Sequence, residues 1–360
     1  MKYTEAIEYM ESLPVCNEVP GSESMKQLWK RMGNPQDKLS CVYIEGNRKV
    51  NAFVATVLKC AGYKIGRYAA DFIYECREKY QVRNKPITKK AFCDIVEQIR
   101  GICESLVEEG YRHPTRFEVE NGIAFAYFEQ QNCQVILLET MLDLEQMWKI
   151  SGVSVHMNAV KKIKHGLDKQ KFDYKGWNNL EISLAGVGQI ENAVRALEIL
   201  CQIRENGFLI SEAALRKGLK ETVCPGCFSV IGKKPYFVVD SAESEEAVFE
   251  LLQSIECYFR NRRIIYILGM CRECEVERII DMAHGYADWI IAVTPPANPS
   301  AMGSYELATE IAKVHPSVTA VDSLEEAVEV AYLLKGKEDV IIAFGCRSML
   351  GKLVEIMHQK

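Results

Sequence analysis

The sequence predicts an α/β protein of two domains, each organised around an open parallel sheet. Three observations carry this. The chain has 360 residues, where about 150 per domain is usual. Short apolar runs of strand length alternate with amphipathic stretches of helix length, the pattern of βα units with helices on both sheet faces. That alternation breaks down over 140–183 and restarts after Phe228, as it would on passing from one domain to the next.

The elements follow in order. An amphipathic helix opens the chain, with Glu5, Glu8 and Glu11 on its polar side. Residues 41–45 form a short strand, followed by the loop Gly46 to Asn51 and a helix over 52–61 that Gly62 ends. A strand at Lys64–Tyr68, helices over 88–109 and 116–130, and a buried strand at Gln134–Glu139 complete the first series. Over 140–183 scattered lysines, His156 and His165 and one turn-like stretch, 172–179, give no period; a short connection with solvated histidines is expected there. A long helix spans 190–206. The second series then runs Tyr236–Val239, helix 244–260, Ile264–Leu268, helix 275–285, Trp289–Val293, helix 302–314, Val318–Val321, helix 324–335 and Val340–Phe344. The boundary is placed at 222/223, giving domains 1–222 and 223–360.

Composition narrows the function classes. A net charge of −5 provides no basic footprint, so neither nucleic acid nor an anionic membrane is expected as a partner. The opening residues lack an apolar signal core, and the longest apolar runs are strand-sized, so a cytoplasmic location is expected. In that compartment fourteen cysteines are reduced, metal-bound or catalytic more often than paired. Cys60, Cys93, Cys103, Cys201 and Cys257 lie in helical patterns with apolar neighbours and read as small buried hydrophobes.

Several segments resemble one family. Tyr3 to Pro14, Ala61 to Gly66 and Phe117 to Phe128 look like bacterial folylpolyglutamate and dihydrofolate synthases of the Mur ligase superfamily. Gly188-Gln189-Ile190-Glu191-Asn192-Ala193 is similar to that family's Gly-x-His-Gln-x-x-Asn-Ala, and Cys224-Pro225-Gly226-Cys227-Phe228 stands where it has Trp-Pro-Gly-Arg-Phe. The resemblance implies an N-terminal P-loop-like parallel sheet with flanking helices, a truncated Mur-ligase central domain, followed by a C-terminal Rossmann-like α/β domain. It also implies residual ATP and Mg²⁺ positions at Lys49, Glu139, Asn192 and Asp240.

The departures are as specific as the matches. Family members carry Gly-Thr-Asn-Gly-Lys-Gly-Ser after the first strand, where backbone N–H groups wrap phosphate, lysine neutralises it and serine reaches Mg²⁺. Here the loop is Glu45-Gly46-Asn47-Arg48-Lys49-Val50-Asn51. The glycine-rich stretch after Glu139 is Thr140-Met141-Leu142-Asp143, and Ala69-Ala70-Asp71-Phe72 replaces the folate-side Ser-Pro-His-Leu. The family block bearing a metal-binding histidine and a carbamylated lysine has no counterpart. Asp240-Ser241-Ala242-Glu243-Ser244 replaces Asp-Gly-Ala-His-Asn-Pro, and Cys227 replaces an ATP-contacting arginine, exchanging a fixed cation for a weak neutral donor. Nucleotide binding weaker than about 10 μM is therefore expected.

Two Cys-x-x-Cys pairs stand out, Cys224/Cys227 and Cys271/Cys274, where random placement of the cysteines gives about half of one such pair. The second follows a strand of the C-terminal sheet, at the carboxyl edge where open α/β folds bind ligands; the first, by the resemblance, stands at the rim of the ATP site. Four thiolates suit Zn²⁺ or an iron–sulfur cluster, and Cys346, on the same edge, is a candidate fifth thiol. Unliganded thiols and a redox dithiol are the alternatives. Three functions stay open: a ligase relative rebuilt around a cysteine-held metal for redox or cofactor assembly, a minimal ATP-dependent amide ligase acting on a folate-like or other carboxylate, and a non-catalytic assembly subunit. A homodimer or protein partner fits the first and third, since a two-fold axis can bring matching cysteine pairs together.

Overall fold

The computed structural model describes residues 1–15, 22–44, 47–69, 71–139, 147–336 and 338–359. The chain divides into two compact units, 1–154 with 195–218, and 155–194 with 219–360.

The first unit contains α1 (Tyr3–Ser12), α2 (Glu23–Arg31), β1 (Cys41–Ile44), α3 (Arg48–Cys60), β2 (Ile65–Tyr68), β3 (Tyr80–Val82), β4 (Lys85–Pro86), α4 (Lys89–Glu108), α5 (Arg116–Gln130), β5 (Val135–Leu138) and β6 (Trp148–Ile150). Its sheet has the order β4-β3-β2-β5-β1-β6. The four strands β2, β5, β1 and β6 are parallel, and β3 and β4 add an antiparallel edge. Side-chain acceptors set the helix starts: Ser22, Asn47 and Thr88 each take an N–H of the first turn, and Thr115 forms a reciprocal box with Glu118. Every residue of α3 from Val50 to Leu58 is buried, which is why the segment is apolar around most of its circumference. Phe92, Ile99, Phe125 and Phe128 of α4 and α5 lie in one core with Ile136 and Leu138 of β5.

The stretch 140–183 departs from the expected short connection. Thr140 to Gln146 lie outside the described residues. Beyond them come β6 and an antiparallel meander, β7 (Val160–Lys164), β8 (Gln170–Tyr174) and β9 (Trp177–Ile182), ordered β7-β8-β9. The four strands correct the sequence reading. The meander was hard to see because its lysines fill the exposed face, while Phe172, Tyr174, Leu180 and Ile182 are buried. Lys175 and Gly176 turn β8 into β9, both at positive φ (39° and 90°), the backbone that a two-residue hairpin of matching twist requires. His156 and His165 are exposed, as expected.

Next come α6 (Gln189–Glu205) and α7 (Glu212–Glu221). The remaining elements are β10 (Ser229–Lys233), β11 (Tyr236–Asp240), α8 (Glu245–Phe259), β12 (Ile264–Gly269), α9 (Val276–Ala283), β13 (Trp289–Val293), α10 (Ser304–Ala312), β14 (Val318–Val321), α11 (Leu324–Leu334), β15 (Val340–Gly345) and α12 (Arg347–Gln359). The sheet order is β10-β11-β15-β12-β13-β14, parallel except for the edge strand β10. Strands β12 and β15 are buried at every residue, as central strands covered on both faces must be. No helix among the described residues is long and apolar enough to cross a membrane.

The cysteines only partly fit the packing role expected of them. Cys93 and Cys103 are buried, Cys60 and Cys201 are half-buried, and Cys257 is exposed. Burial pushes the thiols of Cys103 and Cys133 up to about 11 and that of Cys41 up to about 12. Their thiolate fractions at pH 8 are therefore very small. Iodoacetamide at that pH is expected to label Cys257 while leaving Cys41, Cys103 and Cys133 unmodified. Peptide mass mapping checks this, and rapid labelling of Cys41 would contradict its burial.

Candidate functional site

In the first unit the site is built where β1 leads into α3. Glu45 and Gly46 lie outside the described residues. Asn47 caps α3, its Oδ1 accepting from Val50 N at 3.0 Å, and the Val50 side chain packs wholly inside. Val50 therefore serves the core. Lys49 stands half-buried in the first helical turn. Asn51 is buried, with Nδ2 3.5 Å from the Asn47 carbonyl oxygen and Oδ1 without a hydrogen-bond partner.

Glu139 follows β5 by one residue and lies 3.4 Å from Arg67 Nε on the adjacent strand β2. Both side chains are about nine-tenths shielded from solvent, at 11% and 7% exposure. Lys79 Nζ donates to both carboxylate oxygens of Glu120 at 2.8 and 3.0 Å, and Tyr68 Oη donates to the same carboxylate at 3.2 Å. Sequence reasoning missed Arg67. The available signal was a cation in the middle of a strand buried at every residue, which needs a buried anion beside it.

In the second unit Asn192, on the first turn of α6, donates from Nδ2 to Gly188 O at 3.0 Å and is buried. Asp240, at the end of β11, accepts from Phe228 N at 2.6 Å, and Ser241 N donates to Gly226 O at 2.8 Å. These bonds fold the Cys224–Phe228 turn against the strand end, with Gly226 and Phe228 both at positive φ (71° and 46°).

The cysteines do not gather as expected. Cys224 and Cys227 face each other with sulfurs 2.9 Å apart. Among the described residues the only converging set of three or more metal-binding side chains is Glu243, Cys271 and Cys346, whose ligand atoms all lie within 4.8 Å of one another. The four-cysteine centre is thus replaced by a different set. Sheet order gives the reason: Cys224 and Cys227 lead into the edge strand β10, which β11 and β15 separate from β12 and the residues that follow it. Cys346, at the end of β15, is adjacent to Cys271. Cys274 does not converge on this set; it lines a neighbouring depression of about 560 Å³ with Arg272 and Met302. Two thiols and a carboxylate do not supply the four thiolates of an iron–sulfur cluster.

The local field around these sulfurs is well defined. Asn298 Nδ2 donates to Cys271 Sγ at 3.3 Å and to Cys346 Sγ at 3.2 Å, while its Oδ1 accepts from Ser300 N at 2.9 Å and fixes the amide orientation. Arg347 pairs with Glu243 Oε1 at 3.1 Å. Burial, reinforced by Cys346 and then by Cys274 and Glu243, pushes the Cys271 thiol well above the usual range; burial also raises Cys274. Glu243 and Asn298 were not foreseen as partners, because only the tertiary fold brings their loops to Cys271.

Comparison with known proteins follows the same lines. Residues 227–347 match the family model for the Mur ligase glutamate ligase domain. The dihydrofolate synthase/folylpolyglutamate synthase of Bacillus subtilis is 25% identical over 336 residues, covering 72% of this chain and 78% of that protein. The Escherichia coli counterpart is 22% identical, covering 85% and 83%. Among solved structures, Thermotoga maritima folylpolyglutamate synthase superposes with a TM-score of 0.81 at 22% identity, over 99% of this chain and 96% of that one. Mycobacterium tuberculosis folylpolyglutamate synthase, solved with ADP, gives 0.86 at 15% identity, over 99% and 98%. With parallel sheets arranged as in solved folylpolyglutamate synthases, a C-terminal region that matches the Mur ligase glutamate ligase domain and relatives aligned along most of its length, this chain has the Mur ligase fold and is similar to the folylpolyglutamate/dihydrofolate synthases.

Proposed function

We propose that this protein is an ATP-dependent ligase that joins the amino group of an amino acid to the carboxylate of a folate-like acceptor, in the cytoplasm. The observation that carries the reading is similarity to dihydrofolate/folylpolyglutamate synthases over most of both chains. It weighs against the doubt, drawn from the altered loop, that ATP is still bound, and it favours the ligase over a metal-centred redox role or a non-catalytic subunit.

The residues of the first unit fit ATP and Mg²⁺. An ammonium at Lys49 in the first turn of α3 suits phosphate, where the helix end already favours negative charge. The buried acceptor Asn51 Oδ1 and the carboxylate of Glu139 are oxygen donors of the kind a hard divalent cation takes. Mg²⁺, when bound, would screen phosphate charge and polarise the transferring group. Arg67, with Nε 3.4 Å from Glu139 Oε1, orients that carboxylate by charge. The thiol at Cys227, in place of the family's arginine, removes one cationic contact, so weaker nucleotide affinity than in relatives follows.

Calorimetric titration with ATP and Mg²⁺ is expected to give saturable binding between about 10 μM and 1 mM, roughly −7 to −4 kcal/mol. ADP release should depend on both a pteroate- or folate-type carboxylate and glutamate. Absence of nucleotide binding together with absence of substrate-dependent ADP release would overturn the reading and leave the assembly role.

A further inference from the structure

We propose that Glu243, Cys271 and Cys346 bind a single Zn²⁺ ion in the second unit. The ligase reading does not use these side chains, and the inference does not depend on it.

Three loops at the carboxyl end of one parallel sheet deliver the donors. Glu243 comes from the loop after β11, Cys271 from the one after β12, and Cys346 from the residue after β15. Gly345 brings the last two together. Its φ of +111° and the 2.7 Å bond from Cys346 N to Gly269 O draw the ends of β15 and β12 into contact. The three ligand atoms already lie within 4.8 Å of each other. Tetrahedral ligands about 2.3 Å from zinc stand about 3.8 Å apart, so rotamer adjustments smaller than a backbone shift close the site.

The surrounding residues point the same way. One amide, Asn298, donates to both sulfurs, and its other end is pinned by Ser300 N. Donors aimed at sulfur favour the charged thiolate, and such outer groups orient metal ligands. Arg347 holds the Glu243 carboxylate through one oxygen at 3.1 Å. Two thiolates and a carboxylate are a donor set that a divalent cation suits. Soft sulfur donors select zinc over the magnesium that oxygen ligands would favour. On binding, each thiol gives its proton to solvent as its sulfur joins the ion. Three protein ligands leave the fourth tetrahedral position to a non-protein donor, as in open zinc sites.

The test uses the full chain, stripped with a chelator under reductant and without oxygen, then titrated with Zn²⁺ against a chromophoric chelator and separately with Co²⁺. Wild type is expected to take up one equivalent, and its Co²⁺ form to show sulfur-to-cobalt charge transfer with intense visible bands of a tetrahedral site. C271S and C346S should lose stoichiometric uptake, and N298A should weaken affinity by about 10- to 100-fold. A C224S/C227S double variant should bind like wild type. If a variant fails to fold, wild type alone decides: Zn²⁺ should protect Cys271 and Cys346 from alkylation, read by peptide mass mapping. Unchanged uptake in C271S and C346S, loss of uptake in the C224S/C227S variant, or equal alkylation with and without Zn²⁺ would overturn the proposal. No ATP is present in these experiments, so their outcome is separable from that of the ligase assay.

Discussion

Substituting Gly345 by alanine is expected to destabilise the second unit by about 3–5 kcal/mol, combining the strain of an L-residue at an unfavourable φ with a backbone clash. The φ is +111°, and an added Cβ would meet Gly269 O at 2.1 Å, with Met270 Sδ next at 3.0 Å. A backbone oxygen between two central strands cannot swing aside as the end of a flexible side chain can. Relief therefore requires separating β15 from β12, which breaks the Cys346 N to Gly269 O bond and moves Cys346 from Cys271. Denaturant unfolding measures the loss. Gly101, on the exposed side of α4 with open space around it, is the control: alanine there should stabilise by about 0.5–1 kcal/mol through helix propensity. If G345A unfolds within about 0.5 kcal/mol of wild type, well below the strain expected for such a backbone, the strand ends do not approach as described.

Replacing Arg67 by methionine is expected to cost about 3–5 kcal/mol, because it leaves the Glu139 carboxylate charged and largely out of water without its guanidinium. The pair itself, at 3.4 Å, is a charge contact rather than a tight hydrogen bond, so its net worth against apolar packing is small. An R67M/E139L double variant should therefore recover most of the lost stability. Stability and function then separate. The double variant should fold like wild type yet lose Mg²⁺-dependent ADP release, whereas a purely structural pair would leave turnover unchanged. A single variant as stable as wild type would show that Glu139 is already neutral or solvated.

The periodic elements were readable directly from the chain. The strands at Lys64–Tyr68, Gln134–Glu139 and Ile264–Leu268 and the helices over 88–109 and 116–130 fall within two residues of their observed limits. Buried parallel strands are continuous apolar runs, and their helices carry an apolar stripe, so each element announces itself locally. The β7–β9 meander did not, because a sheet with one polar face of lysines has a weak apolar signal over five or six residues. Family resemblance suggested Lys49, Glu139, Asn192 and Asp240 as site positions, and local pattern flagged Cys271 and Cys346 as thiols on one sheet edge.

What the sequence could not decide was which of these groups meet. Arg67 and Glu139 are 3.4 Å apart only because β2 and β5 are adjacent in a sheet whose order differs from chain order. The spacing of Cys224-x-x-Cys227 and Cys271-x-x-Cys274 suggested a four-sulfur set, but the strand order β11-β15-β12 interposes Cys346 and brings in Glu243. Sequence spacing reports neighbours along a turn. Ligands from different loops are assembled by strand order and crossover connections, and these are fixed by the packing of the whole sheet rather than by any local segment.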